Sequence, residues 1–118
     1  MISLKPGVSV RGIKPEAVLA VLVAWTVYFQ QGLFMTITSC FDGRHRSGSL
    51  HYMGLAFDCR SKDLTAAHKA VVVDNLRRQL GLAYDVLLED EGQANEHIHV
   101  EFDPDADPLP GSMPVDPS

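Results

Sequence analysis

In the segment Glu96-His97-Ile98-His99-Val100-Glu101-Phe102, ionisable and apolar side chains alternate without a break from His97 onward. A β-strand sends successive side chains to opposite faces. His97, His99 and Glu101 therefore share one face, and Ile98, Val100 and Phe102 share the other. Such a strand belongs in a sheet with an apolar back packed on a core and a polar front turned outward. A row of polar groups fixed on a strand is also a rigid frame, which is what a metal site needs.

The rest of the chain reads from periodicity and punctuation. Residues 1–14 hold Pro6, Gly7 and Gly12 and read as an irregular or short extended segment. Lys14-Pro15-Glu16 opens a helix, because proline suits a first turn and an acid there complements the dipole. The run from Ala17 to Trp25 is apolar nearly all round, which predicts a helix buried on several sides, with Trp25 and Tyr28 in the core. It should end near Gln31-Gly32. Leu33 to Thr38 is rich in strand formers, and residues 39–50 are polar and Gly/Ser-punctuated, hence a loop. Leu55 to Cys59 reads as a second strand. Asp63 is positioned to cap a helix from Leu64 to about Leu80, with Leu64, Ala67, Val71, Val72, Leu76 and Leu80 on its inner side. Tyr84 to Leu88 and Ile98 to Phe102 complete the strands. The order predicts an α+β domain with a small, mostly antiparallel sheet of about four strands and two main helices. This domain should occupy residues 1–102. Residues 103–118 hold five of the seven prolines and read as a loose tail.

Composition closes off some functions. With 118 residues, 46% hydrophobic and 21% charged, the chain has the make-up of one ordinary soluble domain. The net charge is −5 and the basic residues are scattered, so no nucleic-acid partner is expected. The longest apolar stretch, Ala17 to Phe29, is shorter than the roughly 20 residues a membrane span requires. No small-residue cleavage site comes after it, so no secretory signal is expected. Cys40 and Cys59 are compatible with free thiols or with one bridge.

His51 and Asp58 are the other candidates for chemistry. They are seven apart, which on an unbroken strand would put them on opposite faces. Gly54 permits a bend that leaves His51 in the approach and Asp58 in the strand. Leu55 and Phe57 then face the core, Ala56 leaves space beside Asp58, and Cys59 points away from it. A catalytic zinc site takes three such ligands and keeps one position open for water. Taken alone, a His-x-His pair in a strand is more often two exposed histidines than a ligand pair. His68, on the second helix, reads as a surface residue.

Together, Ser49-Leu-His51-Tyr-Met-Gly54-Leu-Ala56-Phe-Asp58 and Glu96-His97-Ile-His99 are more specific. The first resembles the SxHxxGxAxD signature of the zinc metallopeptidases that cleave D-alanyl-D-alanine and L-alanoyl-D-glutamate bonds. The second resembles that family's acid-x-x-His and HxH signature, and the order is the family's. The resemblance covers about Thr36 to Phe102 and implies the fold shared by lysostaphin, D-Ala-D-Ala metallopeptidases and hedgehog domains. It implies zinc held by His51, Asp58 and His99, with Glu96 as general base and His97 beside the metal steadying the tetrahedral intermediate. Because strict alternation sends Glu96 to the core face, that role requires a turn at Glu96, which Asn95 makes plausible. Glu101 would brace an imidazole; a rival assignment makes His97 a ligand and Glu101 the base. The family's oxyanion-stabilising arginine falls loosely on Arg44, with Arg46 and His45 in the same loop. Ser49 would brace that loop or bind substrate.

The function this resemblance implies is a peptidoglycan peptidase acting on stem peptides, of the D,D-carboxypeptidase or L-alanoyl-D-glutamate endopeptidase type. A monomer is expected, made in the cytoplasm and reaching the bacterial wall after release, as phage lysins do, or as part of a virion. The alternative is a non-catalytic zinc-binding or assembly module on the same scaffold. A cupin-like metal protein, suggested by HxH, fails on spacing.

Overall fold

A computed structural model describes residues 1–40 and 53–104. Among the described residues, five strands and two helices occur in the order β1 (Ile2–Leu4), α1 (Pro15–Gln30), β2 (Met35–Ser39), β3 (Ala56–Arg60), α2 (Ala66–Leu80), β4 (Tyr84–Glu89) and β5 (His97–Phe102). The strands form one sheet in the order β1-β2-β3-β5-β4, with β1 parallel to β2 and every other pair antiparallel. The expected α+β class is what the chain adopts. The fifth strand, β1, comes from the amino-terminal segment.

The alternation in β5 sets the layers. Ile98 and Val100 are fully buried, as are Phe57 and Cys59 opposite them on β3. With Met35, Ile37 and Val86 they form the sheet's share of the core, against Ala20, Ala24, Val27 and Tyr28 of α1 and Val72 and Leu76 of α2. Fully burying one such large side chain contributes about 1.5–3 kcal/mol. Both helices therefore lie on one face. The other face carries the polar row.

Two helix expectations are corrected. Helix α1 buries only one face, Ala17, Ala20, Ala24, Val27 and Tyr28, while Val18, Leu19, Leu22 and Phe29 remain exposed. Small alanines let this face approach the sheet closely, and the opposite face has no layer to cover it among the described residues. Helix α2 begins two residues later than expected. Its cap is Thr65, whose hydroxyl accepts from the His68 amide at 3.1 Å, satisfying one of the free donors of the first turn. Only Val72 and Leu76 are buried on it; Ala67 and Val71 face outward. At its far end the Arg77 guanidinium donates twice to the Val86 carbonyl, at 3.0 and 2.8 Å, tying α2 to β4. Cys40 and Cys59 are both buried and are not bridged to each other, and burial pushes the Cys59 thiol up.

Gly54 takes a left-handed turn just before β3; the His51 approach it was expected to serve lies outside the described residues. The Gly54 φ is +74°, and a Cβ there would lie 2.2 Å from the carbonyl oxygen of Gly12. The Gly54 carbonyl accepts from the Lys14 amide at 2.9 Å, so this turn also positions the start of α1.

Candidate metal centre

The site lies on the sheet face opposite the helices, where β3, β5 and β4 are neighbours. Asp58 and His99 are direct cross-strand partners, and so are His97 and Glu89. The side chains meet accordingly. The His99 ring donates from Nδ1 to Asp58 Oδ1 at 2.7 Å and from Nε2 to Glu101 Oε1 at 3.1 Å. The His97 ring donates from Nε2 to Glu89 Oε1 at 2.9 Å and from Nδ1 to the Asn95 carbonyl at 2.8 Å. Its Nε2 is also 3.7 Å from Asp58 Oδ2.

Each imidazole thus has acceptors on both nitrogens, the arrangement that favours the doubly protonated ring. Burial alone would push the His99 ring down, but its bonds to Asp58 and Glu101 outweigh burial and lift it to about 10. For His97, burial is outweighed by the Asn95 carbonyl, Asp58 and Glu89, and the ring is also raised. The acids of this face surround positive charge. A divalent cation would meet the same field once His99 gave up the proton it shares with Asp58.

Ligand atoms of Asp58, Glu89 and His99 all lie within 4.8 Å of one another. Two carboxylates and an imidazole form a donor set suited to zinc and to other divalent first-row metals. The residues present fit a metal ion. Asp58 is buried and His99 half-buried, on rigid neighbouring strands, so their spacing is set by the backbone ladder. A second group, Asp85, Glu101 and Asp103, is equally close; burial, Glu101 and Asp103 together push Asp85 up.

Asp58, His97, His99 and Glu101 therefore come together. Ser49, His51, Arg44, Arg46 and His45 lie outside the described residues. Glu96 stands elsewhere. A turn does precede it, closed by the Glu96 amide donating to the Gln93 carbonyl at 3.1 Å, but this turn does not bring the carboxylate to the polar row. The alternation of β5 extends back to Glu96 and carries its side chain to the helix face. There it accepts from Ser61 Oγ at 2.6 Å, Lys69 Nζ at 2.8 Å and the Gly92 amide at 3.1 Å. The Lys69 and Ser61 bonds, the largest influences, hold its carboxyl at about 2. A carboxylate with three donors is well satisfied on that side.

Glu89 is the site residue that sequence reasoning missed. It is the last residue of β4, one past the expected end at Leu88. Extending the same alternation from Asp85 through Leu87 would have placed it on the polar face.

No family model, curated protein or solved structure matches the chain.

Proposed function

We propose that this chain is a zinc-dependent peptidase acting on peptidoglycan stem peptides. The observation that carries the reading is the direct pairing of Asp58 with His99 on adjacent strands, at the positions the metallopeptidase signatures assign to ligands. His51, seven residues before Asp58 in the same signature, is the proposed third ligand. Zinc bound there would polarise the scissile carbonyl and supply a nucleophilic water near neutral pH.

The chain's own residues supply the rest. Asp58 and His99 bind the ion, and Glu101, on the far nitrogen of His99, fixes the orientation of that ring. His97 Nε2 lies beside Asp58 and would donate to an oxyanion by turning its N–H from Glu89. The proton acceptor is a carboxylate on the same face. The resemblance gives this role to Glu96, whose oxygens would first have to leave Lys69, Ser61 and Gly92. Glu89 already stands on the face of Asp58 and His99, hydrogen-bonded among the described residues by the His97 ring alone, and is the better-placed base.

The placement of Glu96 also favours a second reading, a metal-binding module without turnover, in which that residue is a structural anchor. Incubating purified wall fragments with the zinc-loaded chain and analysing products by mass separates the two. New peptide termini that vanish with chelator support the peptidase. Bound zinc with no product under any metal supports the module. For the peptidase, the place of action is the bacterial wall, reached after release from the cytoplasm or from a virion.

A further inference from the structure

Helix α1 is apolar on two opposite sides. One side, of alanines with Val27 and Tyr28, packs on the sheet. The other runs along Val18, Leu22, Trp25 and Phe29, with Leu19 and Thr26 beside it. Steps of four, three and four residues keep these side chains on one stripe. Val18 is 41%, Leu19 55%, Leu22 52% and Phe29 67% exposed. No charged residue occurs in the helix after Glu16. The hydroxyl of Thr26, the polar member of the stripe, donates to the Leu22 carbonyl at 3.0 Å, so its donor is already used. Phe29 leans on Trp25, with ring centroids 5.7 Å apart. Helix α2 is the contrast, since its outward side carries the exposed ion pair of Asp74 and Arg78.

The size and the charge of the stripe say what covers it. At about 150–250 Å² for a fully exposed side chain of this size, the four exposed residues leave roughly 450 Å² open. A patch of that area on a single domain marks an interaction site. A two-fold pair covers it twice. With Trp25, Thr26 and the helix ends, the pair reaches about 1,200 Å², the lower end for a specific complex. A helix built for a membrane surface carries lysine and arginine along its flanks; α1 has neither, and a net charge of −5 is repelled by anionic lipid. A neutral stripe is complementary to itself, so two copies can meet where neither is charged. Parallel helices would set Lys14 against Lys14 and Glu16 against Glu16. Antiparallel helices set those ends beside the uncharged Gln30 and Gln31 and oppose the two dipoles. Leu22, in the middle of the stripe, then faces its own copy across the axis.

We infer that the outward face of α1 joins two copies of this chain into a two-fold dimer, the helices antiparallel and crossing at Leu22. The dimer takes the place of the single copy expected from the sequence. It stands apart from the peptidase reading, because α1 and the metal centre lie on opposite faces of the sheet. Pairing through α1 leaves both metal centres open and turned away from the join.

Sedimentation equilibrium on the full chain tests this. The mass should move from one chain to two with a dissociation constant of roughly 1–100 µM, as an interface of this size implies. Leu22→Glu and Leu22→Lys should each weaken pairing at least about 100-fold, since each sets two like charges together in an apolar join. The two variants mixed in equal amounts should pair again. Val71→Glu, at an exposed position of α2, should leave pairing unchanged. Circular dichroism checks each fold, and Phe29→Ser, a neutral change at the helix end, should weaken pairing at least about fivefold if a charged variant unfolds. A single chain at every concentration overturns the inference, as does association untouched by Leu22→Glu or growth beyond two chains. Failure of the mixed variants to pair removes Leu22 from the axis and the antiparallel crossing with it. Monomers that bind neutral phosphatidylcholine vesicles would give this face to lipid instead. Zinc uptake per chain should be the same in the parent and in the Leu22 variants, so the pairing and the metal reading fail separately.

Discussion

Replacing Glu96 by glutamine keeps the size of the side chain and removes its charge. In the folded chain its carboxylate accepts from Lys69, Ser61 and Gly92, which hold the carboxyl at about 2 against an ordinary 4.5. The folded state therefore favours the ionised form. That contribution is complete above the unfolded value and is lost as pH falls from 4.5 towards about 2. At about 1.36 kcal/mol per pKa unit, the ceiling is roughly 3 kcal/mol. The group is covered by its own partners but sits at the start of β5 beside exposed Ala94 and Asn95, where water screens the pair. A cost of about 1–2 kcal/mol is therefore expected. Urea unfolding of the parent chain and of Glu96→Gln, monitored by circular dichroism from neutral to acid pH, measures it. The variant should be less stable at neutral pH, and the gap should close as the solution is acidified through that window. A variant as stable as the parent at neutral pH, or a gap that stays constant into strong acid, would refute an anchoring role. Unchanged stability together with retained zinc and lost turnover would return the base role to Glu96.

Glu89→Gln should keep zinc within a few-fold and lower turnover by about 10²–10⁴; near-normal rates would remove Glu89 from the reaction. Asp58→Ala and His99→Ala should each abolish stoichiometric zinc in equilibrium dialysis, and His51→Ala likewise. Since the His99 ring is held protonated to about 10, zinc binding at neutral pH should release at least one proton. Calorimetry in buffers of different ionisation enthalpy reads this directly, and no buffer dependence would contradict it. Gly54→Ala combines a left-handed backbone with a clash against Gly12, and should cost more than about 2 kcal/mol in chemical denaturation.

Much of this architecture is legible in the sequence because its signals are local. Alternation in Ile98, Val100 and Phe102 marks β5, and Pro15 with Glu16 marks the start of α1. The pairing of Asp58 with His99 is readable only as a shared role, since register between distant strands depends on the whole sheet. The anchoring of Glu96 is hidden because its partners, Lys69 and Ser61, are 27 and 35 residues away, and no local pattern announces such a meeting. Thr65 and not Asp63 is the cap because the helix starts at Ala66, where the Thr65 hydroxyl reaches the His68 amide; both residue types suit a cap, and the sequence alone does not choose between them. Glu89 escapes notice for a simpler reason: it closes its strand, and element ends are hardest to place. The apolar run of α1 predicts cover on several sides, but hydrophobicity alone does not say how many layers a small domain builds.

The cross-strand pairing of Asp58 with His99 has a consequence for how this protein can diverge. Because the two groups occupy a single rung of the ladder, insertions in the connecting loops leave their separation untouched. Sliding β3 past β5 by one residue would instead carry one partner to the opposite side of the sheet and bring an apolar neighbour to the rung. In the metal-binding reading, affinity for the ion would therefore gauge strand alignment, and misfolded forms with shifted strands should declare themselves by failing to take it up.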